Sequence, residues 1–236
     1  MTNEAVTRPT IAALTPDQLE ALRKIDTPTI SNAIEAFKVR DRSQGFMGMN
    51  IRCLFPDLGV MVGYAVTATA DSTTPGSPRG REGLYRMWEA LAAAPKPAVL
   101  VIKDLSPRPR HSCHFGEVMG NTAKRLGAVG VVTDGGVRDI NEVRALGLHY
   151  FAAGLVPSHG NFGILDVGIP VEVDGVLVRP GDLLHGDANG VLVIPAEVTD
   201  RLIDEVERVR QREAAMIQFI NGPDFSLEGL KKMLGL

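Results

Sequence analysis

Val129-Gly130-Val131-Val132-Thr133-Asp134-Gly135-Gly136-Val137-Arg138-Asp139-Ile140-Asn141-Glu142 is the stretch whose reading decides the fold. Residues 129–133 are short and almost wholly apolar, the pattern of a strand covered on both faces. Two glycines end that strand, and a charged pair then opens a helix that runs from Asp139 to Leu146. Working outward, Ala98 to Ile102 is a second apolar run, preceded by a helical segment, Arg81 to Ala94, that Pro95 and Pro97 terminate. Gly116 to Leu126 reads as a helix and Tyr150 to Ala153 as a strand. This β-α-β-α-β order implies a parallel sheet with helices against it. In such sheets ligands bind outside the carboxyl ends of the strands, which places residues 133–142 at the candidate site.

The flanks complete one domain spanning residues 1–236. Thr15-Pro16-Asp17-Gln18 carries a capping hydroxyl, a first-turn proline and a glutamine that can reach back. Thr27-Pro28 repeats the device, so helices are expected over Pro16–Lys24 and Pro28–Phe37. Residues 41–58 and 72–80 read as loops around a strand over 61–70, and Leu105 to Phe115 as a further loop. Val171 to Val178 is an Asp-Gly hairpin, and Val191 to Ile194 a strand after the Asp187–Gly190 turn. Ala196 to Ile220 is amphipathic, with Val198, Leu202, Val206, Val209, Met216 and Ile220 on one stripe and Glu213 among them. The core is therefore expected over residues 15–195, with a protruding C-terminal helix over 196–220.

Composition narrows the chemistry. With 44% hydrophobic and 22% charged residues the chain is an ordinary globular one rather than a disordered one. A net charge of −3 argues against nucleic-acid binding by bulk positive charge. The uncharged run Ala145 to Leu165 is broken by Gly147, Gly154, Pro157, His149, His159 and Asn161, so no membrane span is expected. Two cysteines, Cys53 and Cys113, and an N-terminus without a continuous apolar stretch point to the cytoplasm. No dinucleotide fingerprint, phosphate-binding P-loop or zincin helix is present.

Two readings compete at the candidate site. Asp139 can be a helix cap with Glu142 as its capping-box partner, and Arg138 a surface arginine paired with a carboxylate. Alternatively Arg138 and Asp139 face a ligand. Gly116-Glu117-Val118-Met119-Gly120 opens another helix, where free amides favour an anion such as a substrate carboxylate. In the plainer reading, Gly116 breaks a loop and Glu117 complements the helix dipole.

Together, G-E-x-x-G at 116–120, G-V-V-T-D-G-G-V-R-D-x-x-E at 130–142, Arg179-Pro180-Gly181-Asp182 and Gly186-Asp187-Ala188-Asn189-Gly190-Val191 resemble the 4-hydroxy-4-methyl-2-oxoglutarate aldolase and RraA-like family. The likeness spans roughly residues 15–220. It implies an α/β fold, an α-β-β-α sandwich related to the swivelling β/β/α domain. It further implies trimers or hexamers with sites between subunits and a divalent metal, Mg²⁺ or Mn²⁺. By the resemblance Asp139 is the metal ligand, Arg138 the substrate-binding and catalytic cation, and Glu117 a carboxylate holding metal-bound waters. Gly116 and the amides of Val118 and Met119 receive the substrate carboxylate. A glutamate from a neighbouring subunit completes such sites, and Glu213 is the candidate, on a C-terminal helix expected to pack against that neighbour.

The activity implied is retro-aldol cleavage of a small 4-hydroxy-2-oxo acid to pyruvate, with oxaloacetate decarboxylation through the same enolate. RraA-like members that inhibit a ribonuclease offer a non-catalytic alternative, and a lyase or isomerase of a sugar-derived acid a third. His111-Ser112-Cys113-His114 carries zinc-type donors without a second ligand pair, Lys103 follows a strand where a Schiff-base lysine could stand, and Ser158-His159 lacks an evident acid. Two segments depart from the family pattern: the basic, histidine-containing Ser106–Phe115 loop and the polar Pro157-Ser158-His159-Gly160-Asn161.

Overall fold

The computed structural model describes residues 14–76 and 80–236. Eleven strands and seven helices follow in order: α1 (Pro16–Arg23), α2 (Thr27–Ala36), β1 (Arg52–Cys53), β2 (Met61–Asp71), α3 (Glu82–Ala93), β3 (Ala98–Asp104), β4 (Cys113–Phe115), α4 (Glu117–Arg125), β5 (Ala128–Val137), α5 (Ile140–Ala145), β6 (His149–Leu155), β7 (Gly163–Val167), β8 (Val171–Val173), β9 (Val176–Val178), β10 (Leu183–Asp187), β11 (Gly190–Ile194), α6 (Leu202–Ile220) and α7 (Leu227–Met233).

The fold is mixed α/β. Nine strands form one sheet in the order β1-β6-β5-β3-β2-β10-β11, with β4 added to β5 and β7 to β2. The centre is parallel: Val101 lies opposite Thr67 on β2 and Val132 on β5. Antiparallel strands close the flanks. One edge of β2 is shared, since β10 takes Met61–Tyr64 and β7 takes Ala68–Asp71. All eleven residues of β2 are buried, so its alternation of large and small side chains reflects two covered faces.

On one face, Leu100, Ile102, Val131 and Tyr150 pack with residues of α3, α4 and α5 such as Met87, Ala123 and Val143. On the other, Val99, Val101, Val132 and Phe151 meet Val171, Val173, Val176 and Val178 of the β8–β9 hairpin. The hairpin turns at Asp174 and Gly175, both at positive φ (44° and 83°), as an Asp-Gly turn requires. A third cluster joins α1, α2 and α6 to β10 and β11 through Leu22, Ile30, Leu192 and Val206.

Several sequence expectations are corrected. Asp26, not Thr27, caps α2, because its carboxylate accepts from the Thr29 amide at 2.9 Å while Thr27 forms the first helical residue. The loop expected over 105–115 ends in β4, whose Cys113 pairs with Gly136. The strand expected to stop at Thr133 continues to Val137, since β4 and β6 both pair with its end, where Gly136 lies opposite Cys113 and Gly154. A short strand, β1, lies within the segment read as loop over 41–58. The C-terminal helix starts at Leu202, because residues 196–198 form a separate 3-10 turn and the Thr199 hydroxyl bonds the Ala196 carbonyl at 2.9 Å. Its stripe is buried at Val198, Leu202, Val206 and Val209, whereas Ile220 is 41% exposed where the helix projects beyond the core. Helix α7 was not expected. Among the described residues no helix is long and apolar enough to cross a membrane.

Candidate functional site

The site is built where β5 leaves the sheet. Gly135 and Gly136 let the preceding loop and β4 lie directly on the strand: a Cβ on Gly136 would stand 2.5 Å from the Ser112 carbonyl oxygen, and one on Gly135 would collide with the His114 ring. The Gly136 amide donates to the Ser112 carbonyl at 3.0 Å and the Arg138 amide to the Phe115 carbonyl at 2.9 Å. This close seating brings Gly116 and the start of α4 against Arg138 and Asp139.

Asp139 occupies the capping position of α5 but does not cap it. Its backbone is left-handed (φ 56°, ψ 50°), a conformation that Asp tolerates better than most residues, and no side-chain cap bond forms. Its Oδ2 instead accepts from the Glu117 amide at 2.8 Å, across 22 positions of chain. The capping box with Glu142 is therefore overturned: the carboxylate serves the N-terminus of α4, which has no side-chain cap of its own.

Arg138 stands beside it, with Nε 3.6 Å from the same Oδ2 and both side chains 36% exposed. That separation exceeds a good hydrogen bond, so the guanidinium is near the carboxylate without being locked to it. Gly116 has extended backbone that any residue could adopt; its need is steric. A Cβ there would fall 2.5 Å from Asp139 Oδ2 and 2.9 Å from Arg138 Nε. The Val118 and Met119 amides, in the first turn of α4, meet no acceptor among the described residues, as first-turn N–H groups lack intrahelical partners. Glu117 and Val118 are exposed and Met119 is half-buried. Arg138, Asp139, Gly116, Glu117 and the two amides thus come together. Sequence reasoning missed Tyr150, whose hydroxyl donates to the Arg138 carbonyl at 3.4 Å and whose phenol burial pushes above its ordinary range.

A hard cation such as Mg²⁺ is held in proteins by one or two carboxylates, with water and substrate supplying the other oxygens. Asp139 fits that donor set: Oδ2 is engaged, while Oδ1 has no partner among the described residues. No group of three His, Cys, Asp or Glu side chains able to enclose a metal occurs among the described residues.

The other candidates separate. Glu213 is exposed and accepts from Asn32 of α2 at 3.0 Å; within the chain it makes no contact with Asp139, and it lies on the projecting part of α6 rather than on a buried stripe. Lys103 lies in a different cleft, of about 650 Å³, on the hairpin side of the sheet, with Nζ 2.5 Å from Asp134 Oδ2. Burial alone would lower its pKa, but the bond and charge of Asp134 outweigh this and raise it, which opposes a neutral Schiff-base amine. His111 is exposed while Cys113 and His114 are buried in β4, so the zinc-type donors do not converge. His159 Nδ1 meets the Gly160 carbonyl at 2.8 Å and Ser158 Oγ accepts from the Gly160 amide, so no Ser-His-acid relay forms among the described residues.

Comparison with known proteins places this geometry in context. A protein of Halalkalibacterium halodurans named "Putative 4-hydroxy-4-methyl-2-oxoglutarate aldolase" is 32% identical over 121 residues, covering 50% of this chain and 58% of that protein. An uncharacterized protein of Methanocaldococcus jannaschii is 35% identical over 100 residues, covering 42% of this chain and 48% of its own. The chain thus spans about half the length of these curated relatives. Two solved structures share the fold. An uncharacterized protein of Pseudomonas syringae pv. tomato superposes with a TM-score of 0.73 at 24% identity, over 97% of this chain and 99% of that one. Streptomyces coelicolor RraAS2, described as an unusual member of the RNase ES inhibitor RraA protein family, gives 0.67 at 23%, over 86% and 97%. Residues 27–193 match the family profile described as "RraA-like: Aldolase/RraA", and the chain belongs to that RraA-like family.

Proposed function

We propose that this protein is a divalent-metal-dependent lyase of small 2-oxo acids. It cleaves a 4-hydroxy-2-oxo acid by retro-aldol chemistry to release pyruvate, and oxaloacetate decarboxylation is a side activity. The observation that carries the reading is Asp139: a carboxylate in a left-handed cap position, turned from its own helix to the start of α4 beside Arg138, with one oxygen unengaged. The names of the aldolase relatives agree with it.

Asp139 would hold Mg²⁺ or Mn²⁺, with Glu117 on the waters around it. When bound, the cation supplies Lewis-acid charge opposite the oxygens of the oxo acid. The Val118 and Met119 amides bind the substrate carboxylate at the positive end of α4. A carboxylate, Glu117 or Glu213 of a neighbouring copy, takes the proton of the C4 hydroxyl as the C3–C4 bond breaks. The electron pair of that bond passes to the ketone oxygen, where the Arg138 guanidinium stabilises the enolate. Protonation at C3 gives pyruvate, and the C4 fragment leaves as a carbonyl compound. Decarboxylation passes through the same enolate, with CO₂ as the fragment lost.

A screen of 4-hydroxy-2-oxo acids and oxaloacetate with added Mg²⁺, coupled to pyruvate detection, tests this. Turnover that disappears with EDTA and in Asp139→Ala is expected. Pyruvate release that persists undiminished in both would sink the metal-dependent reading. No turnover of any oxo acid, together with recovery of an RNA-degrading enzyme in a pull-down, would replace it with the inhibitor role known from the name of the Streptomyces relative. Size-exclusion chromatography gives a separate check, because a strict monomer leaves no neighbour to supply Glu213.

A further inference from the structure

Two polar segments, the loop before β4 and residues 157–161, meet in space. The end of β2, the loop before β4 and residues 156–161 enclose a cleft of about 420 Å³. Its polar wall consists of Ser72, Thr73, Arg108, His111, Ser158 and Asn161, and no Asp or Glu lines it among the described residues. The hydroxyls are already used as acceptors: Ser72 Oγ takes the Cys113 amide at 3.2 Å, Thr73 Oγ1 the Arg108 amide at 3.1 Å, and Ser158 Oγ the Gly160 amide at 3.3 Å. Each is left with an O–H to donate. The Arg108 guanidinium and the His111 ring meet no hydrogen-bond or ion-pair partner among the described residues. Asn161 Nδ2 already donates to the Thr74 carbonyl at 3.0 Å, but the rest of the polar wall is built of donors that lack acceptors among the described residues.

We infer that this cleft binds the phosphoryl group of a small organic phosphomonoester. Such a group carries about two negative charges and three acceptor oxygens, matching a guanidinium, an imidazole and several hydroxyl donors in one wall. A carboxylate, with two oxygens in one plane, would leave part of the wall unmatched. The cleft exceeds a lone phosphate in size and lies in the range of small-molecule pockets, and Pro75, Val156 and Pro157 give it an apolar side for an organic body. The wall is pre-organised. Pro107 and Pro109 flank Arg108, the His111 amide bonds the Arg108 carbonyl at 2.9 Å, and the Asn161 amide bonds the Ser72 carbonyl at 2.9 Å. The inference needs neither Asp139 nor a metal, so it stands or falls apart from the lyase reading.

Calorimetric titration of the full chain with phenyl phosphate, inorganic phosphate and benzoate tests it. Saturable binding of phenyl phosphate, tighter than either control, is expected. In the double variant Arg108→Gln/His111→Gln, at two exposed positions, affinity falls at least tenfold, and Ser158→Ala weakens binding less. Asp139→Asn binds phenyl phosphate as the unaltered chain does. Benzoate or inorganic phosphate binding as tightly as phenyl phosphate, or an affinity unchanged in the double variant while its fold is intact by circular dichroism, overturns the assignment.

Discussion

Two aspartates open two helices of this protein and behave oppositely. Asp26, at the start of α2, has extended backbone (φ −70°, ψ 152°) and turns its carboxylate onto its own helix, accepting from the Thr29 amide at 2.9 Å and the Thr29 hydroxyl at 2.8 Å. Asp139, at the start of α5, is left-handed and reaches over to α4. Identical chemistry at equivalent positions is spent in one case on local stability, and in the other on assembling a charged site from segments distant in the chain. The contrast teaches that a cap motif read from sequence shows where a carboxylate is, whereas backbone conformation shows what it serves.

The strongest way to break the contrast is Asp139→Asn. In the pyruvate-coupled assay we expect kcat/KM to fall about 10³-fold, the scale of removing a pre-organised electrostatic group, with Mn²⁺ binding followed by electron paramagnetic resonance lost in parallel. An active Asp139→Asn protein would reduce Asp139 to a structural residue like Asp26. Gly116→Ala comes next. Its methyl would meet Asp139 Oδ2 at 2.5 Å and push the carboxylate from α4, and a displacement of that kind costs on the order of 10²-fold in activity. Thermal denaturation should show that fold still intact.

Backbone conformation separates the two sites further. At Asp139, with φ 56°, the glycine variant should be more stable than the alanine variant by about 1 kcal/mol, as glycine alone enters the left-handed region freely. Alanine at Asp26 should cost about 1 kcal/mol, lowering Tm by roughly 2–4 °C, without altering turnover.

The smallest effect is in pH. Burial alone would raise the Asp26 pKa, but the hydrogen bonds from Thr29 outweigh it and hold it below its ordinary 3.8. A carboxylate depressed in the folded state adds stability above its unfolded pKa and loses it as pH falls through the folded value. Asp26→Asn should therefore flatten the acid limb of Tm below about pH 4 and leave neutral pH dependence unchanged.

Much of the frame was legible because it is local. Residues 98–102 and 129–133 announced themselves as strands by unbroken apolar character, and Asp174-Gly175 marked its turn by a chemistry few other pairs share. The extension of β5 through Asp134, Gly135 and Gly136 was hidden, since those residues disfavour strands and pairing on both edges, with Cys113–Phe115 of β4 and Gly154–Leu155 of β6, holds the strand end extended. Asp139 misled for the opposite reason. Asp-x-x-Glu is a faithful local cap signature, and the amide that overrides it belongs to Glu117 on another helix. The clustering of Gly116, Arg138 and Asp139 was visible as motifs, but the steric necessity of Gly116 was not, because it arises from side chains 22 and 23 residues away. At Asp26-Thr27-Pro28 two adjacent residues can each cap, and sequence alone does not rank them.

The amide of Glu117 ends on the same carboxylate that would face a cation. Drawing electron density from Asp139 toward such an ion would weaken its grip on that single N–H, so the first peptide group of α4 becomes a built-in gauge of occupancy. Its proton chemical shift and exchange rate would record loading directly, in a protein whose substrate need not be known beforehand.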